Sequence, residues 1–489
     1  MPTELAEASE ATVPDNSAPD HTERNKLVIN LLLISAFVVI LNETIMNVAL
    51  KSIMGSLAID KSTAQWLSTG FMLTMAVVIP TTGFLLKRYS TRTVFIAAMG
   101  LFSLGTLTAA IAPGFLVLLL GRIIQASGTA IMFPLLTTTV MNLVPPATRG
   151  KTMGNISTVI SVAPAIGPLI SGLILSTLDW RWIFILVLPI ALGALGLGVA
   201  KVKNVTTPEK ARIDSLSVVL SAFAFGGLVF GLSSVAQWIA GHALMQPWIP
   251  LVVGSVAFVL FVLRQLHLQR SNAALLDLRT FRSFGFTISL SMMALMMMAL
   301  FGVIIVLPLF MQNVMHLKPL ATGALMLPGG LVMGLAAPTV GRLYDKHGPR
   351  PLLIPGSIIV SLTLWGMTLF DSHTAYAWVF AAYTALCLGL ALVFTPLFTS
   401  SLGSVKPELY SHGSALIGTV QQLAAAAGTA VFIFLLTVQS LALRAGGANA
   451  VTAEAGGDRA AFICGAIISL LAVAASPFVT KPAVSEWGH

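Results

Sequence analysis

Long apolar segments recur along the whole chain, with only short polar stretches between them. A helix that crosses a bilayer needs about 20 apolar residues, and fourteen segments of the 489-residue sequence are long enough. Charged residues make up only 9% of the chain, whereas soluble globular proteins carry roughly 25%. The sequence therefore predicts an all-α integral membrane protein with fourteen spans, near 27–49, 64–86, 93–111, 115–140, 152–178, 182–200, 214–238, 249–268, 284–312, 322–344, 351–370, 377–402, 414–437 and 459–479.

Lysine and arginine are unevenly distributed over the two sides of the predicted membrane. Of the 27 Lys and Arg residues, twenty fall on the side that holds both termini and six on the other side. Because cytoplasmic loops are rich in Lys and Arg, we expect a multi-pass plasma-membrane protein with both termini cytoplasmic. The net charge of +9 then reflects orientation in the bilayer, and no nucleic-acid partner is expected.

The two ends of the chain differ from the apolar body. Residues 1–26 are acidic and rich in Ala, Ser, Thr and Pro, which is typical of a disordered tail. They lack the basic start and cleavage site of a secretory signal. We predict cytoplasmic tails at 1–26 and 480–489. The two cysteines, Cys387 and Cys464, lie in apolar segments, so neither a disulfide framework nor a metal site is expected.

Two loop segments indicate an internal repeat. PTTGFLLKRYSTR (Pro80–Arg92) and PTVGRLYDKHGPR (Pro338–Arg350) share Pro, Thr, Gly, Leu and Arg at equivalent positions. Both segments end a predicted helix at a basic cytoplasmic loop, as parallel repeats about an axis along the membrane normal require. The predicted architecture is therefore two parallel six-helix bundles, 27–200 and 284–479, with two inserted helices at 214–268.

Several motifs together carry a resemblance to a known family. GRLYDKHGPR (Gly341–Arg350), LLLGRIIQASGTA (Leu118–Ala130), APAIGPLISG (Ala163–Gly172) and ILNETIMNVAL (Ile40–Leu50) resemble motifs of the major facilitator superfamily, in its fourteen-helix drug:proton antiporter branch. TAQWLSTGFML (Thr63–Leu73) is similar to the lincomycin-resistance-type exporters of that branch.

The resemblance implies a monomeric secondary transporter that exports small amphipathic drugs in exchange for protons by alternating access. It implies no enzyme activity and no cofactor, since the proton gradient supplies the energy. The sequence also lacks the phosphate-binding G-x-x-x-x-G-K-[ST] loop of an ATP-driven pump. A transporter of a specific metabolite or lipid remains the alternative, because fold alone does not determine cargo.

One acidic and one basic residue lie deep within predicted spans. Glu43 is in the first span and Arg122 in the fourth, both on the outer side of the midpoint. A charge at the bilayer centre costs about 2.5–3.5 kcal/mol on insertion scales, so it normally faces a partner or a cavity. We expect Glu43 to pair with Arg122 and to carry protons. The alternatives are a structural, permanently protonated Glu43 and an Arg122 bonded only to backbone and water.

The family pattern differs from this chain at one neighbouring position. Drug:proton antiporters more often carry Asp where this sequence has Asn42, so the acid here is displaced by one residue. Further polar or aromatic side chains in or near the spans are candidates for lining a substrate cavity: Asn42, Asn47, Gln65, Trp66, Gln125, Gln312, Asn313, Gln421 and Gln422.

Two motifs are expected to control conformation. The loop residues Gly341, Asp345, Gly348 and Arg350 resemble a latch between the halves. In it Asp345 accepts hydrogen bonds from a helix N-terminus or from Arg350. The first-half copy has Lys87 at the acidic position. The fifth-helix motif is expected to bend and pack closely, through Pro164, Gly167, Pro168 and Gly172. The simpler readings are a positively charged cytoplasmic loop and ordinary helix packing.

Overall fold

The computed structural model describes residues 22–202, 204, 214–239, 241, 245–271 and 273–481. Within these residues fourteen stretches are long and apolar enough to cross a membrane, which confirms the predicted number. The α-helices are α1 Thr22–Leu57, α2 Lys61–Arg88, α3 Thr91–Ala110, α4 Phe115–Leu143, α5 Arg149–Thr177, α6 Arg181–Lys201, α7 Ser215–Ser221, α8 Gly227–Ile239, α9 Trp248–Leu268, α10 Phe284–Leu309, α11 Pro319–His347, α12 Arg350–Met367, α13 Tyr376–Gly403, α14 Tyr410–Ala445 and α15 Ala450–Ala475.

The fifteen α-helices make fourteen spans because α7 and α8 form one span. A π-helical turn, Ala222–Gly226, joins them without a break. Another π-helical turn, Phe310–Val314, extends α10. The helix α1 begins at Thr22, so the last five residues of the predicted tail are helical. Residues 480 and 481 of the second tail are also described, and the rest of the two tails, 1–21 and 482–489, lies outside the described part of the chain.

The helices α1–α6 form the first bundle, α10–α15 form the second, and α7–α9 lie between them in sequence. The inserted helices pack against both bundles, with α8 contacting α2 and α14. Close approach of α8 to α9 depends on two facing glycines, since a Cβ built at Gly227 would lie 2.9 Å from the Cα of Gly254. On the first-bundle side, Trp66 of α2 stacks on Phe230 of α8 with ring centroids 5.7 Å apart.

The last two spans differ from the prediction. The sequence suggested a connection near 438–458, but α14 continues to Ala445 and α15 begins at Ala450. Hydropathy falls where Gln439 and Ser440 enter, yet alanine and leucine around them favour continued helix. Asp458 therefore lies about two turns inside α15 and is only 3% exposed. The structure therefore buries an acid, Asp458, that the sequence analysis placed at the edge of the connection between these spans.

The two bundles meet along a pair of equivalent helix contacts. The repeat offset relates α2 to α11 and α5 to α14, and the most extensive contacts between the bundles are α5 with α11 and α2 with α14. We call the end that carries Asp345 and the basic loops the inner end, and the opposite end the outer end. Hydrogen bonds between the two bundles, among the described residues, lie between mid-depth and the inner end.

Small residues make the α5–α11 contact possible. A Cβ built at Gly154 would lie 2.9 Å from the Cα of Pro338, and one at Gly341 would lie 2.7 Å from the carbonyl carbon of Gly150. Thr158 donates a hydrogen bond from Oγ1 to the Gly334 carbonyl at 2.8 Å. Because real Cβ atoms do not approach so closely, larger side chains at these positions would separate the inner ends. This conformation is closed at its inner end.

Candidate functional site

The helix α4 carries Arg122 into the interior of the first bundle. The side chain is 1% exposed, and its Cζ lies 4.1 Å from the ring centroid of Phe71 on α2. Its Nη1 donates to Gln125 Oε1 at 2.6 Å and, more weakly, to Asn42 Oδ1 at 3.5 Å. A desolvated cation over an aromatic face gains about 2 kcal/mol. Arginine keeps its proton in proteins, so Arg122 is a fixed positive charge held by neutral groups.

Gln125 is held in place by α3. Its Nε2 donates to Thr106 Oγ1 at 2.8 Å, and Thr106 in turn donates to the Phe102 carbonyl at 2.7 Å. The two helices approach closely here, since a Cβ built at Gly105 would lie 2.7 Å from the Cα of Gln125. These contacts fix the amide with its oxygen toward Arg122. The sequence drew attention to neither Phe71 nor Thr106, because their role depends on contacts between helices.

Glu43 lies next to Asn42 on α1 and is partly buried. Among the described residues no hydrogen bond or ion pair joins its carboxylate to Arg122, although the two charges interact at longer range. Two buried donors of the cluster, Asn42 Nδ2 and Arg122 Nε, lack a hydrogen-bond partner within the described part of the chain. The predicted Glu43–Arg122 pair is thus not a direct contact in this conformation, and two buried donors of the cluster have no acceptor.

Asp345 joins the inner ends of the two bundles. Its Oδ1 accepts from the Gly150 backbone N–H at 2.7 Å, and its Oδ2 accepts from the Lys151 N–H at 2.8 Å. These are first-turn donors of α5, where a carboxylate is stabilised by the helix dipole. Of the two expected partners, the structure shows the helix N-terminus. Arg350 is exposed and makes no hydrogen bond to Asp345 among the described residues.

Gly348 ends α11 directly after this latch. Its φ of 80° lies in the left-handed region, which favours glycine. The terminal segment adds one further contact, since Lys481 Nζ donates to the Asp345 backbone carbonyl at 2.7 Å. In the first-half copy of the motif the equivalent glycine, Gly83, faces the start of α14, since a Cβ built at Gly83 would lie 3.3 Å from the Cα of His412. Lys87 occupies the position equivalent to Asp345. The acid-to-helix bond is therefore a feature of the second-half motif.

The helix α5 connects the latch to the turn that bears Glu43. Its inner end binds Asp345, and farther along Gly167 packs against the side chain of Thr44. Ser171 Oγ donates to the Ile45 carbonyl at 3.0 Å. The helix runs through Pro164 and Pro168 without ending. Gly172 does not pack closely on another helix, since a Cβ built there has no heavy atom within 4 Å. One helix thus touches both the latch and the neighbours of Glu43.

The comparisons with known proteins agree with this architecture. Residues 32–429 match the family model described as Major Facilitator Superfamily. The chain belongs to the major facilitator superfamily. It is 40% identical over 456 residues to an uncharacterized MFS-type transporter, YcnB, of Bacillus subtilis, covering 93% of this chain and 95% of that protein. It is 37% identical to the lincomycin resistance protein LmrB of Listeria monocytogenes and 36% identical to LmrB of Bacillus subtilis, covering in both cases 93% of this chain and 96% of the relative.

Solved structures share the superfamily fold at low sequence identity. The human organic anion transporter MFSD10 superposes with a TM-score of 0.64 at 15% identity, covering 92% of this chain and 99% of that one. The proton:xylose symporter XylE gives a TM-score of 0.61 at 14% identity, covering 93% and 95%. These likenesses concern the fold alone. The chain is a multi-pass membrane protein of a transporter superfamily.

The remaining cavity candidates of this superfamily member do not form one cluster. Gln421 Nε2 lies 3.4 Å from Met293 Sδ within the second bundle, while Gln422 Nε2 lies 3.7 Å from Met75 Sδ across the two bundles. Gln65 is exposed, and Trp66 packs on the inserted helix α8. The others are placed as follows: Gln312 is partly buried, Asn313 lines a separate outer cavity, and the side chain of Asn47 lies outside the described part.

Proposed function

We propose that this chain is a proton-coupled exporter of amphipathic drugs that works by alternating access in the plasma membrane. The observation that carries the proposal is the juxtaposition of a fixed buried charge, Arg122, with an acid-bearing turn, Asn42 and Glu43, that α5 links to the latch. We further propose that the protein acts as a monomer with both termini cytoplasmic. It requires no cofactor, since moving one proton charge through about 100 mV supplies about 2.3 kcal/mol.

The proton step follows from competition for the donors of Arg122 and Asn42. While Glu43 is protonated, the guanidinium stays on the amide oxygens of Gln125 and Asn42, as observed. An ionised Glu43 would attract the guanidinium and offer acceptors to the donors that lack one here, Arg122 Nε and Asn42 Nδ2. The two protonation states then favour different positions of α1 relative to α4. A ligand or proton shifts a conformational equilibrium only through such a difference.

The shift reaches the inner end through α5. This helix packs on Thr44 beside Glu43 and provides the N–H groups that bind Asp345. Movement of the Glu43 turn would therefore change how well α5 fits against α11. Protonation and the inner gate are coupled in this proposal by one rigid element in contact with both.

The cargo class rests on the relatives. Two of them carry the name lincomycin resistance protein and align over nearly their whole length. We therefore take lincomycin as the first substrate to test. With the inner end closed, the proposed cycle releases substrate from between the halves toward the outer side and loads the proton on Glu43 from that same side.

The test uses membrane vesicles of inverted orientation with an imposed pH gradient. We expect lincomycin to move against the proton flow in wild type and Glu43→Gln to abolish gradient-driven movement. Glu408→Gln removes an exposed acid at the inner surface and is expected to leave transport unchanged. Full gradient-driven transport by Glu43→Gln would refute the coupling role. Transport of lincomycin that ignores the gradient would instead favour a facilitator for a defined solute.

A second variant addresses the displaced acid. In the double change Asn42→Asp with Glu43→Gln, the carboxylate would take the place of Asn42 Oδ1, which lies 3.5 Å from Arg122 Nη1. We expect it to restore gradient-driven transport at least in part, because the acid then pairs directly with the same guanidinium. If the double variant is as inactive as Glu43→Gln with an intact fold, the acid must stand at position 43 in this chain.

A further inference from the structure

The cavity that Asn313 lines lies in the outer part of the second bundle and has both polar and apolar walls. It has a volume of about 190 Å³ and is bounded by the end of α10, the last turns of α14 and the first turns of α15. Its residues include Asp458 and Ser440. The site containing Arg122 is formed by helices of the first bundle, so the two sites are separate.

The charges around this cavity do not balance. Arg444, at the rim, donates from Nη2 to Glu454 at 2.9 Å and is thereby paired. Asp458 is 3% exposed and lines the cavity, and among the described residues nothing donates a hydrogen bond to its carboxylate. A buried carboxylate requires a counter-charge or a proton. The cavity thus carries one acid more than its own cations neutralise.

Acceptor atoms accompany this acid. Ser440 Oγ is buried and has no hydrogen-bond partner within the described residues, and Ser440 itself is 7% exposed. Thr437 also lines the cavity, and its hydroxyl proton is already donated to the Ile433 carbonyl at 2.8 Å, so its oxygen lone pairs remain available. Asn313 adds an amide at the α10 side. An unpartnered buried hydroxyl beside a buried acid that has no cation partner among the described residues points to a ligand that brings positive charge and several N–H donors.

The rest of the lining is apolar and selects among cations. Leu309, Leu436 and Leu441 form the hydrocarbon part of the wall. A small inorganic cation gains nothing from such a wall, whereas an alkyl or benzyl group buries its carbon surface there. An ammonium supplies three donors for oxygen acceptors.

We propose that the cavity between α10, α14 and α15 binds a protonated primary amine with a short apolar substituent. Asp458 is the counter-ion, Ser440 and Thr437 accept from the ammonium, and the leucines contact the substituent. The site is independent of the transport cycle proposed above, so it is tested by binding rather than by transport.

The experiment measures binding of benzylammonium to the purified full chain in lipid nanodiscs by saturation-transfer NMR. Benzyl alcohol serves as the neutral probe of similar shape. We expect wild type to bind benzylammonium, and Asp458→Asn to weaken that binding by roughly tenfold or more, since a charge-assisted contact is lost. Benzyl alcohol binding is expected to be weak and unaffected. Asp371→Asn, an exposed acid of an outer loop, is the control and should bind like wild type.

A second variant tests the site independently of whether Asp458→Asn folds. Leu441 is 58% exposed and lines the cavity, so Leu441→Trp fills the site from its rim without touching the buried polar groups. We expect it also to abolish benzylammonium binding. Equal binding by wild type, Asp458→Asn and Leu441→Trp would overturn the proposal. Displacement of benzylammonium by excess sodium, beyond what ionic screening causes, would overturn it too by assigning the site to an inorganic cation.

Discussion

Replacing Asp345 by Asn tests how the inner end is held closed. Hydrogen bonds to charged groups contribute about 1.5–3 kcal/mol each, and Asp345 accepts two of them from the Gly150 and Lys151 N–H groups. Asparagine has one acceptor oxygen and no charge, so it keeps one weaker bond and loses the interaction with the α5 dipole. Because Asp345 is only partly buried, we take the loss as about 2 kcal/mol, after discounting for solvent screening.

That loss translates into a change of population. Since about 1.4 kcal/mol is a factor of ten in an equilibrium, Asp345→Asn should disfavour the inner-closed conformation by roughly 30-fold. The assay is pulsed electron paramagnetic resonance between nitroxide labels at Lys201 in the first half and Glu408 in the second, both exposed. Alanine replaces Cys387 and Cys464 so that only the introduced cysteines react. We expect a longer-distance population to appear in Asp345→Asn.

A matched control separates loss of the latch from loss of any inner carboxylate. Asp277 accepts from Arg279 within the loop before α10 and, among the described residues, makes no hydrogen bond across the halves. Burial disfavours its charged form, but hydrogen bonds from Arg279 outweigh this and hold the pKa of Asp277 below its usual value. Asp277→Asn should therefore leave the distance distribution unchanged. Identical distributions in wild type, Asp277→Asn and Asp345→Asn would refute the latch.

Two further predictions concern packing and the inserted helices. Gly154→Val should open the inner end in the same distance assay, because a Cβ there would overlap α11. Gly172→Val on the same helix meets open space and should leave the distances unchanged. Equal effects of the two substitutions would contradict the packing argument. Asp214→Asn should lower the unfolding temperature by about 2–4 °C, since Asp214 accepts from Arg264 at 2.6 and 2.7 Å. Those bonds from Arg264 hold the pKa of Asp214 well below its usual value. The ionised Asp214 therefore stabilises the fold fully above the pKa of the unfolded state, about 3.9, and this stabilisation is lost only as the pH falls toward the lower pKa of the folded state. The wild-type-minus-variant difference should thus be the same at a pH of about 5 and of about 8, and a difference that shrinks at the lower pH would contradict this assignment.

The span count and the repeat could be predicted from the sequence because both are local. A stretch of about 20 apolar residues has no alternative in a bilayer but a helix, and the repeated loop motif fixes which helices correspond. The Asp345 partner was also predictable in kind, since an acid near a helix start is stabilised by free N–H groups. That this partner is the start of α5 could be seen only in the structure, where α11 packs on Gly150 and Gly154.

The polar contacts inside the spans could not be predicted in the same way. Arg122 was recognised as a buried charge, but the sequence suggested Glu43 as its partner, while the structure gives it Gln125, Asn42 and the ring of Phe71. Which of two adjacent side chains on α1 faces α4 depends on a rotation of about 100° between them. Hydropathy has no information about that rotation.

The sequence by itself thus determined that this chain has fourteen membrane-spanning segments in two related bundles, and that Glu43 and Arg122 lie within such segments. Only the tertiary structure decided which groups those charges meet, and it added Asp458, whose helix starts earlier than its hydropathy indicates. The physical reason is the same in both cases. Insertion into lipid depends on the average polarity of a segment, and that can be read from the sequence alone. Which group pairs with a charge depends on the rotation and the depth of its helix, and the neighbouring helices determine both.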